Sequence, residues 1–177
     1  ISPDGRFVNY RLFKAATGAK ATIVPSYVTE TGFTTDLNSR SKVGSQQGTV
    51  EAFVYDRVKD TLIAIKTDSI PGIQDLPDYV KDHPKQLEEK KKKPANRPVS
   101  VTGFSWSPRG GFAVADIRSQ DNKDRWLMLF DTASGKMKML DRQRDEAWIG
   151  GPGAGGFGGG ATGWIDETIF WYRSEAT

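Results

Sequence analysis

The sequence predicts an all-β fold, a partial β-propeller of two four-stranded antiparallel blades plus the start of a third, with an inserted hairpin and a short helical connector. Three observations predict it. Short apolar runs alternate with clusters of turn-forming residues, and little of the chain has the 3.6-residue period of a helix. A Ser-Pro-x-Gly turn occurs twice in the same setting, at Ser2, Pro3 and Gly5 and again at Ser107, Pro108 and Gly110. The strand pair that follows each turn also recurs, with Asp56 in one copy standing where Asp131 stands in the other.

The clearest copy is 101–140, where the runs "FSW", "FAVADI", "RWLMLF" and "KMKML" are separated by "SPRGG", "QDNKD" and "TASGK". Four strands joined by tight turns in about 40 residues is the size of one antiparallel blade. The turn has a mechanical basis. Proline presets φ for the second turn position and lacks an N–H that the ladder does not need, and glycine permits the positive φ that precedes the next strand. Aligned on that turn, "ISPDGRFVNYRL" matches "WSPRGGFAVADI", and "VEAFVYDRVKDTLIAIKTD" matches "RWLMLFDTASGKMKML". A third copy begins at "GWIDETIFWYRS", with Trp164 in the place of Trp106.

The expected organisation is therefore a first blade over 1–68, a connector over 69–99, a second blade over 100–142, a glycine-rich loop over 143–163 and the start of a third blade over 164–177. An excursion over 13–48 interrupts the first blade and contains "ATIVPSYV", an extra extended piece expected to form a projecting hairpin. In the connector, prolines bracket a short helical stretch from Pro84 to Lys93, with Glu88 and Glu89 placed near its start and lysines at its end, the order the helix dipole favours.

Composition bounds the function. The 177 residues are 37% hydrophobic and 11% aromatic, enough to build a core. A net charge of +3 from 25 basic and 22 acidic residues describes a mixed surface, so no nucleic-acid partner is expected. The absence of cysteine removes disulfides, thiol catalysis and cysteine-ligated zinc, and is compatible with either redox compartment. No apolar run approaches the roughly 20 residues a membrane-spanning helix needs.

Motifs that suggest chemistry lack the required context. Gly151, Gly153 and Gly156 match Gly-x-Gly-x-x-Gly, but no helix former follows them to meet a pyrophosphate, so no cofactor is expected. The stretch from Thr132 to Lys136 reads as a hairpin turn rather than a phosphate loop. His83, the single histidine, precedes Pro84 in the polar connector, and no Gly-x-Ser-x-Gly elbow exposes a serine. The sequence thus offers no catalytic residue and no metal-ligand spacing. The adjacent acids at 88–89, 145–146 and 166–167 are expected to be solvated surface.

Taken together, the two Ser-Pro-x-Gly turns, "TIVPSYVTETGF", "FVYDRVKDTLIAIKTD" and "FWYRSEAT" resemble the N-terminal propeller region of bacterial serine peptidases of the prolyl oligopeptidase and dipeptidyl peptidase IV type, over nearly the whole chain. In that family a propeller sits over an α/β-hydrolase domain that holds the Ser, Asp and His. The resemblance implies that the propeller gates access and helps hold the amino-terminal end of a peptide substrate, in the periplasm or outside the cell. It also implies that this chain, which opens in mid-pattern at Ile1, is a piece of a longer propeller whose other blades and hydrolase domain are its partners.

Dipeptidyl peptidase IV binds the substrate's free amino terminus with a pair of glutamates from a propeller insertion. The comparable place here, upstream of Trp164, is "RDEAWIGG", where Asp145 and Glu146 are the candidate substrate-binding acids. A carboxylate pair there would hold an α-ammonium through charge-assisted hydrogen bonds. The match is not a Glu-Glu pair and its glycine-rich spacer differs. A rival class is a stand-alone propeller scaffold for protein partners, and a carbohydrate-binding propeller is a third. Unpaired edges on an incomplete ring predict self-association, with strand exchange near Thr168 to Arg173.

Overall fold

The structure is a computed structural model that describes residues 1–18, 20–42, 45–149 and 162–174. In chain order the strands are β1 (Phe7–Lys14), β2 (Ala21–Ser26), β3 (Thr35–Ser41), β4 (Thr49–Asp56), β5 (Thr61–Ala64), β6 (Val99–Trp106), β7 (Phe112–Ser119), β8 (Asp124–Asp131), β9 (Met137–Arg144), β10 (Thr162–Trp164) and β11 (Phe170–Tyr172). Among the described residues, helical structure is confined to a 3₁₀ turn at Asp78–Asp82 and helix α1 (Pro84–Lys92), between β5 and β6. The fold is all-β and propeller-like: consecutive antiparallel sheets in chain order, β1-β4-β5, then β6-β7-β8-β9, then β10-β11.

The first sheet has three strands, not the four expected. The reason lies in the alignment itself. Ser2 and Ser107 occupy the same turn, so β1 corresponds to β7, and nothing among the described residues stands where β6 would. Within α1 the lysines do lie in the last turn, but Glu88 and Glu89 fall in mid-helix and no acid occupies the first turn. The Pro84 ring sits at the first helical position, where its missing N–H costs nothing. The glycine-rich stretch with Gly151, Gly153 and Gly156 lies outside the described residues.

Two compact units divide the chain. One is Phe13–Thr49, whose β2 and β3 pair antiparallel with Val24 opposite Leu37 and Ser26 opposite Thr35. Tyr27, Val28 and Phe33 stand out at its turn, Val28 with 94% of its surface exposed. The other unit, Ile1–Leu12 and Val50–Thr177, contains the core.

That core follows from the two-residue period of strands. On β7 the side chains Ala113, Ala115 and Ile117 face one way, and on β8 so do Trp126, Met128 and Phe130; all are buried with Phe7, Ala52 and Val54 of the first sheet. The alanines let the two sheets approach, and the aromatics fill the space beside them. Phe7 stacks on Trp106 at 5.9 Å between ring centroids, and the Trp106 indole N–H donates to Asn9 Oδ1 at 2.9 Å. The opposite faces of β7 and β8 bury Val114 and Leu127. Both faces of the second sheet are therefore covered, which is why "RWLMLF" reads as a continuous apolar run.

The two Ser-Pro-x-Gly turns accept the same hydrogen bond from the strand that follows. Ser2 Oγ accepts the Phe7 N–H at 2.9 Å, and Ser107 Oγ accepts the Phe112 N–H at 3.0 Å. Gly5 and Gly110 adopt φ of 70° and 77°, the left-handed backbone expected of them. Both serines are buried, so each hydroxyl completes its turn away from water. In the third copy Asp166 Oδ1 does comparable work, accepting the N–H groups of Thr168 and Ile169 at 2.7 and 2.8 Å.

Candidate functional site

Asp145 and Glu146 follow directly on β9, where the chain turns back toward the β7–β8 turn. Asp145 Oδ1 accepts the N–H groups of Ala147 and Trp148 at 2.7 and 2.9 Å, closing a local turn, and its own N–H donates to Lys123 O. Glu146 faces the connector instead. Its Oε2 accepts the Asp78 N–H at 2.7 Å, and its Oε1 accepts Arg144 Nε and Nη2 at 2.9 and 2.6 Å. The Asp78 N–H and then the Arg144 guanidinium hold the Glu146 carboxyl below its ordinary value. Lys123 Nζ donates to the Glu146 carbonyl.

The two carboxylates therefore share no hydrogen-bond partner among the described residues: one serves its own loop, the other ties β9 to the 3₁₀ turn. Each keeps acceptor capacity, since an ionised carboxylate takes about four hydrogen bonds. Trp148, 68% exposed, stands beside them, and Ile149 is buried with its N–H on Asn122 O.

Behind Glu146 lies an ionic cluster that sequence reading missed. Asp124, wholly buried, receives Arg97 Nη2 at 2.6 Å, Arg142 Nε at 2.8 Å and Arg144 Nη1 at 3.3 Å. Arg142 continues to Asp75 at 2.6 Å and Arg97 to Asp121 at 3.4 Å. The guanidinium carbons of Arg97 and Arg142 each lie 5.6 Å from the Trp126 ring centroid, and the Trp126 indole N–H donates to Pro71 O. The cluster gathers β8, β9 and the connector on one carboxylate. The only hint in the sequence was charge at the strand ends in "DRWLMLFD" and "DRQR".

Glu167 was also read as surface, and its carboxylate is instead spent on a neighbouring sheet. It accepts Ser107 Oγ at 2.7 Å, the Arg109 N–H at 2.8 Å and the Gly111 N–H at 3.0 Å. These bonds, the Ser107 hydroxyl foremost, hold its carboxyl below the ordinary value. A Cβ on Gly111 would come within 2.7 Å of the carboxylate, so the bare glycine leaves room for it.

His83 sits between the 3₁₀ turn and α1, its carbonyl accepting the Leu87 N–H. No group of three or more potential metal ligands occurs among the described residues, and none of their helices is long and apolar enough to cross a membrane.

No protein-family model matches the sequence, and the search of curated proteins returns no match. Among solved structures the chain is similar to Porphyromonas gingivalis dipeptidyl peptidase 4, with a TM-score of 0.50 and 11% identity, over 84% of this chain and 17% of that one. It is also similar to a protein described as dipeptidyl aminopeptidase IV from Bacteroides ovatus, with a TM-score of 0.49, 11% identity and the same coverage. At that identity the P. gingivalis likeness shows a shared fold, the propeller-like one the sequence resemblance implies. The chain spans 17% of the length of each neighbour.

Proposed function

We propose that this chain is the non-catalytic propeller part of a larger serine peptidase of the dipeptidyl peptidase IV type. In that reading it gates access to an α/β-hydrolase domain and helps bind the amino-terminal end of peptide substrates, in the periplasm or outside the cell. The single observation that carries the reading is the fold shared with P. gingivalis dipeptidyl peptidase 4 over 84% of the chain. Asp145 and Glu146 are the acids assigned to the substrate's α-ammonium. Glu146 is held in place by Arg144 and the Asp78 N–H, and Asp145 has an oxygen left over from its turn.

The test uses the full-length protein expressed from its gene and assayed with a chromogenic aminoacyl-prolyl anilide and its N-acetylated counterpart. Hydrolysis of the free amine over the acetylated form is expected. Asp145→Asn with Glu146→Gln is expected to raise KM about tenfold or more with kcat little changed, the pattern of lost binding shared by ground and transition states. A full-length protein without a Gly-x-Ser-x-Gly elbow or any anilide hydrolysis overturns the peptidase reading. The alternative is then a scaffold for protein partners, which the exposed Tyr27, Val28 and Phe33 favour.

A further inference from the structure

The connector encloses a groove of about 520 Å³, within the range of about 300–1,000 Å³ in which proteins hold small ligands. Its charged lining is Lys90, Lys91, Lys93 and Arg97 against a single carboxylate, Asp121. That local excess of three positive charges equals the net charge of the entire chain, so the rest of the molecule is balanced. The excess is concentrated here by the helix: α1 ends in its lysines, and Glu88 and Glu89 of the same helix do not line the groove.

Asp121 does not neutralise the lysines, because it is engaged by Arg97 Nη1 and by the Lys123 N–H. Arg97 is fixed in turn by the buried Asp124, so this wall is held from behind. Lys90, Lys91 and Lys93 form no ion pair with any described residue. The remaining surface is of a different kind. Apart from Gln74 and Asn96, which hydrogen-bond each other, it is apolar and proline-rich, with Leu76, Pro77, Tyr79 and Pro98 as the floor.

We infer that this groove binds an extended acidic peptide segment in which carboxylates alternate with apolar side chains. Carboxylates at every second position reach the lysine rim, and the intervening side chains lie on the proline and tyrosine floor. A small inorganic anion would satisfy the lysines and leave that floor bare, so the lining favours a peptide. The inference does not rest on the peptidase reading.

The test is fluorescence anisotropy with a fluorescein-labelled, amidated Glu-Leu-Glu-Leu-Glu peptide against the chain, with Gln-Leu-Gln-Leu-Gln as its neutral counterpart. Saturable binding of the acidic peptide is expected, weakened about tenfold or more by raising salt from about 0.05 M to about 0.5 M. The Lys90→Glu, Lys91→Glu, Lys93→Glu variant is expected to lose about tenfold or more in affinity. The Lys20→Glu, Lys42→Glu, Lys59→Glu variant makes the same change in net charge elsewhere and is expected to stay within about twofold. Should the groove variant lose its circular dichroism spectrum, Lys91→Ala replaces it, with an expected loss of about two- to threefold. Absence of binding, equal binding of the neutral peptide, or equal loss in both triple variants overturns the proposal. So does inorganic tripolyphosphate binding more tightly than the acidic peptide.

Discussion

Asp56 shows how much one carboxylate does at the end of a strand. Arg6 grips it through Nε and Nη2 at 3.0 and 2.7 Å, and its Oδ1 also accepts the Val58 and Lys59 N–H groups. The Arg6 guanidinium first, then those two amides, hold its carboxyl down to about 2. A carboxyl depressed by folding stabilises the native state when ionised. Its contribution is complete above the ordinary value of about 3.9 and is lost as pH falls through about 2. Asp56→Asn is therefore expected to lower Tm at neutral pH and to converge with the parent protein below pH about 2; a gap that stays constant with pH would refute this. Asp56 was legible because Asp131 repeats it, capping the next turn through Ala133 N–H and Ser134 Oγ. Asp124 was not, because its three arginines come from positions 27 before it and 18 and 20 after it, and pairing at that separation leaves no local pattern.

Among the elements, the turns were readable and the docking of the connector was not. Proline and glycine act on their own backbone, so Ser-Pro-x-Gly announces itself wherever it occurs. Gly72 differs: its φ of 75° marks a turn, but its importance lies in the Arg142 guanidinium, which a Cβ would overlap. Arg142 comes from β9, 70 positions along the chain, and must pass there to reach both Asp75 and Asp124. Gly72→Ala is expected to cost about 1–2 kcal/mol from the left-handed backbone alone, and more from displacing Arg142, read as a lower urea midpoint. A midpoint equal to the parent's would mean that the connector is not clamped to β9 in solution. The three-stranded first sheet is the element that sequence reading overcounted. A repeat was inferred from its turn and its later strands, and the turn precedes the second strand of the unit rather than the first.

For the molecule as a whole, the sheet order was legible because each sheet repeats the same signals; the ionic cluster was hidden because it ties the second sheet to the connector, and Glu167 because it joins the last sheet to the one before. The β10-β11 pair remains a two-stranded sheet, below the three strands that independent stability usually needs. Ile165, Ile169 and Trp171 on and beside it are exposed. Self-association through this edge is expected, seen by light scattering as a mass that rises with concentration, and Trp171→Lys is expected to reduce it. A single monomer mass at all concentrations would exclude it. Asp145 and Glu146 were singled out by analogy rather than by any local rule, so nothing in the sequence said that they face different ways.

The clasp between Glu167 and the Ser107 turn has a direction. The first turn is completed from within, Ser2 Oγ donating to Asp4 at 2.5 Å, but the second borrows its carboxylate from the sheet that comes after it. Asp4 in turn lies against Gly110, so neighbouring turns form a short row along the edge of the sheets. A row in which a member is finished by its successor propagates order backward along the chain: damage at β10 or β11 would loosen the β6–β7 turn, whereas the opening turn would barely register it.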